Sequence, residues 1–388
     1  MENIEEKACL CALNRIFGFE PRIAQALIGH LGSAAEVFRL TPRDLEAITG
    51  PYFKYKGQIC KAAADSAAEE LYRLERQGIQ FCGITEDSYP GLLKECEDAP
   101  VGLYIRGITP AVELWPRKES IGIVGTRDIT PYGKEWCIKT VQSLARTGHR
   151  PAIISGLALG VDIEAHRTAL EEGLPTIGVM ATGPDAIYPI RNRETAERMA
   201  STPGCALITD YPPGTAPLAI HFLRRNRIIA GLSRSIILIE SKIKGGGLIT
   251  CRLGFSYSRD IYALPGRIDD LRSQGCNLLI REKIAEPVTS PEALLESLGM
   301  KWKNKRNPES FPDRLRSVFG KTHTPEYIDR LHIILLAISR ERGITVEDLS
   351  VKTGLGYSQT AEAAAMLEIE GFISIDLLQR CSINYKNV

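Results

Sequence analysis

Ser120-Ile-Gly-Ile-Val-Gly125-Thr126-Arg127, Ala152-Ile-Ile-Ser155-Gly156-Leu-Ala-Leu-Gly160 and Ser235-Ile-Ile-Leu-Ile239-Glu240-Ser241, the last followed by Gly245-Gly246-Gly247-Leu-Ile-Thr250, share one pattern. A short apolar, largely β-branched run stops at or near glycine, which reads as a buried parallel strand. Glycine after such a strand lets the backbone turn tightly, so amides and the next helix N-terminus point outward together. Three such ends in one sheet predict a crest that favours anions.

Outward from these strands the pattern alternates. Helix is expected over 130–147, 160–172, 191–201, 217–232 and 248–258. Strand is expected over 152–155, 175–179, 206–209, 235–239 and 260–263. Alternation with short loops predicts an α/β fold: a doubly wound, mostly parallel, extended Rossmann-like sheet with ligands at its strand carboxyl ends. Residues 1–78 read as a small helical domain with a glycine turn (Gly29, Gly32) of helix-hairpin type, and 79–298 as the Rossmann-like domain. Residues 299–325, with Lys301, Lys303, Lys305, Arg306, Arg314, Arg316 and Lys321, read as an exposed basic linker. Residues 326–388 read as three helices and a β pair, the order of a winged helix. Its groove-facing helix carries Glu362, Glu368 and Glu370 without Lys or Arg, so protein contact is the expected role rather than DNA reading.

Composition narrows the function. The 388 residues carry 48 Lys+Arg against 47 Asp+Glu, so nucleic acid would have to meet a local patch. Ten scattered cysteines lack zinc spacing and read as reduced thiols of a cytoplasmic protein. No apolar run reaches membrane-spanning length. The first glycine turn lacks the third glycine of a dinucleotide fingerprint, and the next strand ends in Ser155-Gly156 rather than an acid, so no nicotinamide cofactor is expected. Without Lys-Ser/Thr after it, Gly245–Gly247 is a backbone nest and not a P-loop. No metal site is expected.

Phosphate-gripping candidates are Gly125, Thr126 and Arg127 at the first turn, and Ser155 and Gly156 at the second. Arg191, Asn192 and Arg193 follow Tyr188-Pro189, Arg224, Arg225 and Arg227 form the densest basic stretch, and Gly245, Gly246, Gly247 and Thr250 form the nest. Tyr188 and Phe222 are candidates for stacking bases. Asp162 and His166, at i and i+4, are conceivable as an acid/base pair, but a cap plus a hydrogen-bonded histidine is the expected role.

Six motifs in register carry a resemblance: Ile123-Val-Gly-Thr-Arg127, Ser155 through His166, Tyr188-Pro189 with Asn192, Arg225 through Ser233, Gly246-Gly-Leu-Ile-Thr250, and Leu264-Pro-Gly266 with Gly275-Cys-Asn277. The sequence resembles the DNA-processing protein A (DprA, or Smf) family from about residue 89 to 284. The resemblance implies a non-catalytic, dimeric protein of natural transformation that binds and shields single-stranded DNA and helps load RecA recombinase. It implies DNA contacts by Arg127 and by Arg191 or Arg193. The family's usual Ser-Gly-Ser stands here as Gly245-Gly246-Gly247, and Leu159 replaces a common Arg. The alternatives weighed are a nucleotide-binding N-glycosidic hydrolase, with Glu240 or Asp162 as its carboxylate, and a DNA-tethering adaptor working through the end domains.

Overall fold

A computed structural model describes residues 2–115, 119–301, 311–320, 322–341 and 343–384. They form two compact units, 1–301 and 302–388.

The first unit opens with helices α1 (Glu2–Ile16), α2 (Pro21–Leu31), α3 (Ala34–Arg39), α4 (Pro42–Thr49) and α5 (Lys61–Glu75). Local chemistry sets their bounds. Gly32 at φ 89° ends α2, Ser33 caps α3 by accepting from the Glu36 amide, and Thr41 and Asp44 make a reciprocal capping box for α4. Then come β1 (Ile79–Gly83), α6 (Gly91–Lys94), β2 (Gly102–Arg106), α7 (Ala111–Leu114), β3 (Ser120–Val124), α8 (Pro131–Ala145), β4 (Ala152–Ser155) and α9 (Val161–Glu171). They are followed by β5 (Thr176–Val179), α10 (Arg193–Ala200), β6 (Ala206–Thr209), α11 (Ala219–Leu232), β7 (Ser235–Leu238), α12 (Gly246–Ser256) and β8 (Asp260–Ala263). The unit closes with α13 (Gln274–Arg281), β9 (Glu286–Pro287) and α14 (Pro291–Ser297).

The sheet order is β1-β2-β6-β5-β4-β3-β7-β8-β9. From β6 to β9 every pairing is parallel, while β1–β2 and β2–β6 are antiparallel, so the sheet is mostly parallel, as expected. The strand order reverses at β3, where ligands of doubly wound sheets sit.

The N-terminal helices do not stand apart from the sheet. Leu10, Leu13 and Phe17 share one apolar core with Phe81, Leu103 and Tyr104. Buried Asn14 fastens the two, donating to the Asp210 carbonyl (2.8 Å) and accepting from the Gly102 amide (3.2 Å).

The second unit contains α15 (Phe311–Phe319), α16 (Pro325–Arg340), β10 (Ile344–Thr345), α17 (Val346–Thr353), α18 (Tyr357–Ile369), β11 (Ile373–Ile375) and β12 (Arg380–Ile383), with sheet order β10-β12-β11. Helix α15 stands within the stretch expected to be linker. Its Leu315 and Phe319 are buried with Leu331, Leu335 and Phe372, because these two apolar residues, four apart, share a helix face. Lys303, Lys305, Arg306 and Lys321 lie outside the described residues.

Candidate anion-binding crest

Three glycine turns lock together at the switch point. Gly247 packs so closely that an added Cβ would lie 3.1 Å from Gly125 Cα and 2.9 Å from Leu238 Cδ1. Gly160, at φ 78°, closes on the Thr126 carbonyl, which accepts from the Val161 amide at 3.1 Å. These contacts fix Thr126 and Arg127 at the rim of a cleft of about 740 Å³.

Arg127 is exposed, its guanidinium 5.1 Å from the Phe222 ring centroid, and Phe222 in turn packs 5.5 Å from Tyr188. The start of α12, whose first amides lack intrahelical acceptors, lines the cleft as well. Lys242 and Lys244, both exposed, line the same cleft. Sequence reasoning missed them; the signal was two lysines flanking Ile243 directly before the nest.

Arg225 lies beneath, 4% exposed, donating to the carbonyls of Gly156 and Val179. Burial lowers its pKa to about 10, opposed by the nearby Asp162 carboxylate. It therefore stays charged at neutral pH. Burial likewise raises Asp162, against the pull of Arg225 and of the Ala158 and Gly156 amides. Asn226 lines the cleft beside Arg225, one helical turn on from Phe222.

Other candidates bond within the fold. Arg224 donates to the carbonyls of Gly18 and Phe19 (2.9 Å to the latter), joining α11 to the α1–α2 turn. Arg227 pairs with buried Asp210 at 2.5 Å. Ser155 is wholly buried and donates to the Ile123 carbonyl at 2.6 Å. Gly156 seats the Arg225 guanidinium. Asn192 donates to the Leu157 carbonyl at 2.9 Å, and Thr250 to the Gly246 carbonyl at 3.2 Å. These polar groups are spent on the fold. Arg191 and Arg193 are exposed but outside the cleft lining, while Gly125, Thr126, Arg127, Arg225, Gly245–Gly247 and Thr250 share it.

The acid/base candidates are also engaged. Glu240, 1% exposed, accepts from the amide (2.9 Å) and hydroxyl of Thr130, the residue that caps α8. His166 is fully buried with Nδ1 2.7 Å from the Thr176 hydroxyl, and burial pushes its pKa down to about 3. Among the described residues there is no His/Cys/Asp/Glu cluster suited to a metal ion and no helix long and apolar enough to cross a membrane.

The fold is a doubly wound, Rossmann-like sheet that gathers helix-start amides, a guanidinium, lysines and two rings at its switch point. A family model described as DNA recombination-mediator protein A matches residues 80–299. The chain is 34% identical over 333 residues to protein Smf of Escherichia coli (strain K12), spanning 83% of this chain and 84% of that one. It is 33% identical over 297 residues to the DNA processing protein DprA of Bacillus subtilis (strain 168), spanning 74% and 93%. The X-ray structure of DNA processing protein A from Streptococcus pneumoniae superposes with TM-score 0.54 at 32% identity, covering 67% of this chain and 92% of that one. A structure of DNA processing protein A from Helicobacter pylori, described for its single-stranded DNA binding mode, gives TM-score 0.50 at 30% identity, covering 56% and 95%. The chain belongs to the DNA recombination-mediator protein A family, a family of DNA-processing proteins.

Proposed function

We propose that this protein binds single-stranded DNA during natural transformation, shields the incoming strand and helps load RecA recombinase onto it, working in the cytoplasm as a homodimer. The observation that carries the reading is the cleft itself. Exposed Arg127, Lys242 and Lys244 and the first amides of α12 surround a floor that carries Arg225 beside Asp162, with Phe222 and Tyr188 also lining the cleft. Guanidinium, ammonium and amides suit phosphates of any sequence, and rings suit any base. The Helicobacter pylori relative's single-stranded DNA binding supports it. Glu240 is bound to Thr130, and Asp162, which lines the cleft, lies beside Arg225 and accepts from the Ala158 and Gly156 amides, which weighs against the hydrolase reading. The C-terminal unit fits a winged-helix-like module for protein contacts.

Filter binding of single- against double-stranded DNA across a salt series tests the grip. Log K for the single strand is expected to fall by ~0.7 per contacted phosphate per log unit of salt. Arg127→Ala is expected to weaken binding about ten-fold and to lower the slope by ~0.7. A slope near zero, or unchanged affinity in the variant, would overturn the proposal.

A further inference from the structure

In the first unit, three cation–ring pairs are linked through α11 and the Phe19–Glu20 turn. Arg127 covers Phe222 (5.1 Å), Arg224 covers Phe19 (4.1 Å) and Lys54 covers Tyr55 (4.8 Å). The pairs are physically joined. Phe222 and Arg224 belong to one helix, and at 100° per residue the exposed Leu223 and Ile220 stand between the cleft face and the Phe19 face. Phe19 adjoins Glu20, whose carboxylate pairs with Lys54 at 2.7 Å and accepts from the Tyr55 hydroxyl. Next to Lys54 and Tyr55, Tyr52 is 97% exposed beside a depression of about 330 Å³.

Phe19 is 54% exposed although Arg224 lies against its ring and His221 is 6.0 Å away, so Phe19, Ile220, Leu223 and Tyr52 together present apolar surface to solvent. The cations against Phe19 and Tyr55, themselves engaged with the Gly18 and Phe19 carbonyls and with Glu20, hold those rings in place, and exposed rings along a surface suit the bases of a single strand. The nearby carboxylates do not repel it, since Glu20 is paired with Lys54 and Glu46 with Lys56.

We infer, on the basis of the proposed DNA binding, that the strand continues from the cleft over Leu223 and Ile220, across Phe19, and onto the 50–55 loop, where Tyr52 stacks a base. The N-terminal helical region is thus a second segment of the binding site. With its charges mostly paired, this segment adds affinity through stacking, and the salt slope changes little.

The test uses the full chain with oligothymidylates of about 4 to about 30 nucleotides, a range that brackets known single-strand site sizes. Wild type is expected to gain affinity with length and then level off. Tyr52→Ala and the Phe19→Ala/Tyr52→Ala pair are expected to match wild type on the shortest oligomers and to level off sooner. On the longest they are expected to bind about five- and about thirty-fold more weakly, with a near-normal salt slope. Tyr52→Ala removes an almost fully exposed ring, so an unchanged melting curve keeps the result interpretable if Phe19→Ala disturbs folding. Variants that track wild type at every length would overturn the extended path while leaving the cleft in place. Wild type that binds no oligomer would overturn the cleft and the path together.

Discussion

Within four residues of α11 three arginines meet three different fates. Arg224 secures the α1–α2 turn, Arg225 lies under the crest, and Arg227 pairs with Asp210 in the interior. The sequence shows their density but not their directions, because directions depend on how α11 is rotated against the sheet, and that rotation is set by the burial of Ile228, Ile229 and Leu232. The distinction is measurable. Arg227→Met strands the buried Asp210 carboxylate and is expected to cost about 3–5 kcal/mol in urea unfolding. Arg127→Ala, at an exposed rim, is expected to change stability by under about 0.5 kcal/mol while weakening DNA binding. Equal stability losses in the two would show that the interior and rim assignments of Arg227 and Arg127 are mistaken.

At the scale of elements, the strand ends hold the crest together through their glycines, though not all equally. Gly247 touches Gly125 and Leu238, whereas nothing lies within 4 Å of a Cβ on Gly246. Gly247→Ala is therefore expected to push α12 off β3, costing about 1–3 kcal/mol and weakening DNA binding. Gly246→Ala is expected to keep stability or gain up to about 1 kcal/mol, helix propensity being the main change. Paired thermal melts and binding curves check both. Much at this scale was legible: β4, β6 and β8 fall on the expected residues, because buried runs bounded by glycine, proline or polar residues have few other solutions. The antiparallel arrangement of β1 and β2 was not legible, since nothing local to either strand says that β2 will lie against β6. Helix α15 was hidden for a different reason. Its two core residues sit among charges that resemble a solvated run, and only packing within its own unit reveals them.

For the whole molecule, the division at Lys301 and Trp302 leaves the first unit with its own core and the entire cleft. A fragment of residues 1–301 is expected to melt in one cooperative transition, with the N-terminal helices and the sheet unfolding together, and to retain its affinity for single strands. Circular dichroism and the filter assay decide it; two separate transitions would divorce the helices from the sheet, and lost affinity would favour an adaptor acting through both ends. The guanidinium of Arg225 carries a consequence of its own. Only 4% exposed, beside Asp162 and with a pKa of about 10, it keeps its charge through mild acidification. Under the proposed DNA binding, affinity is then expected to hold when the pH falls by about one unit and to drop as salt rises, which the filter assay run across both variables checks.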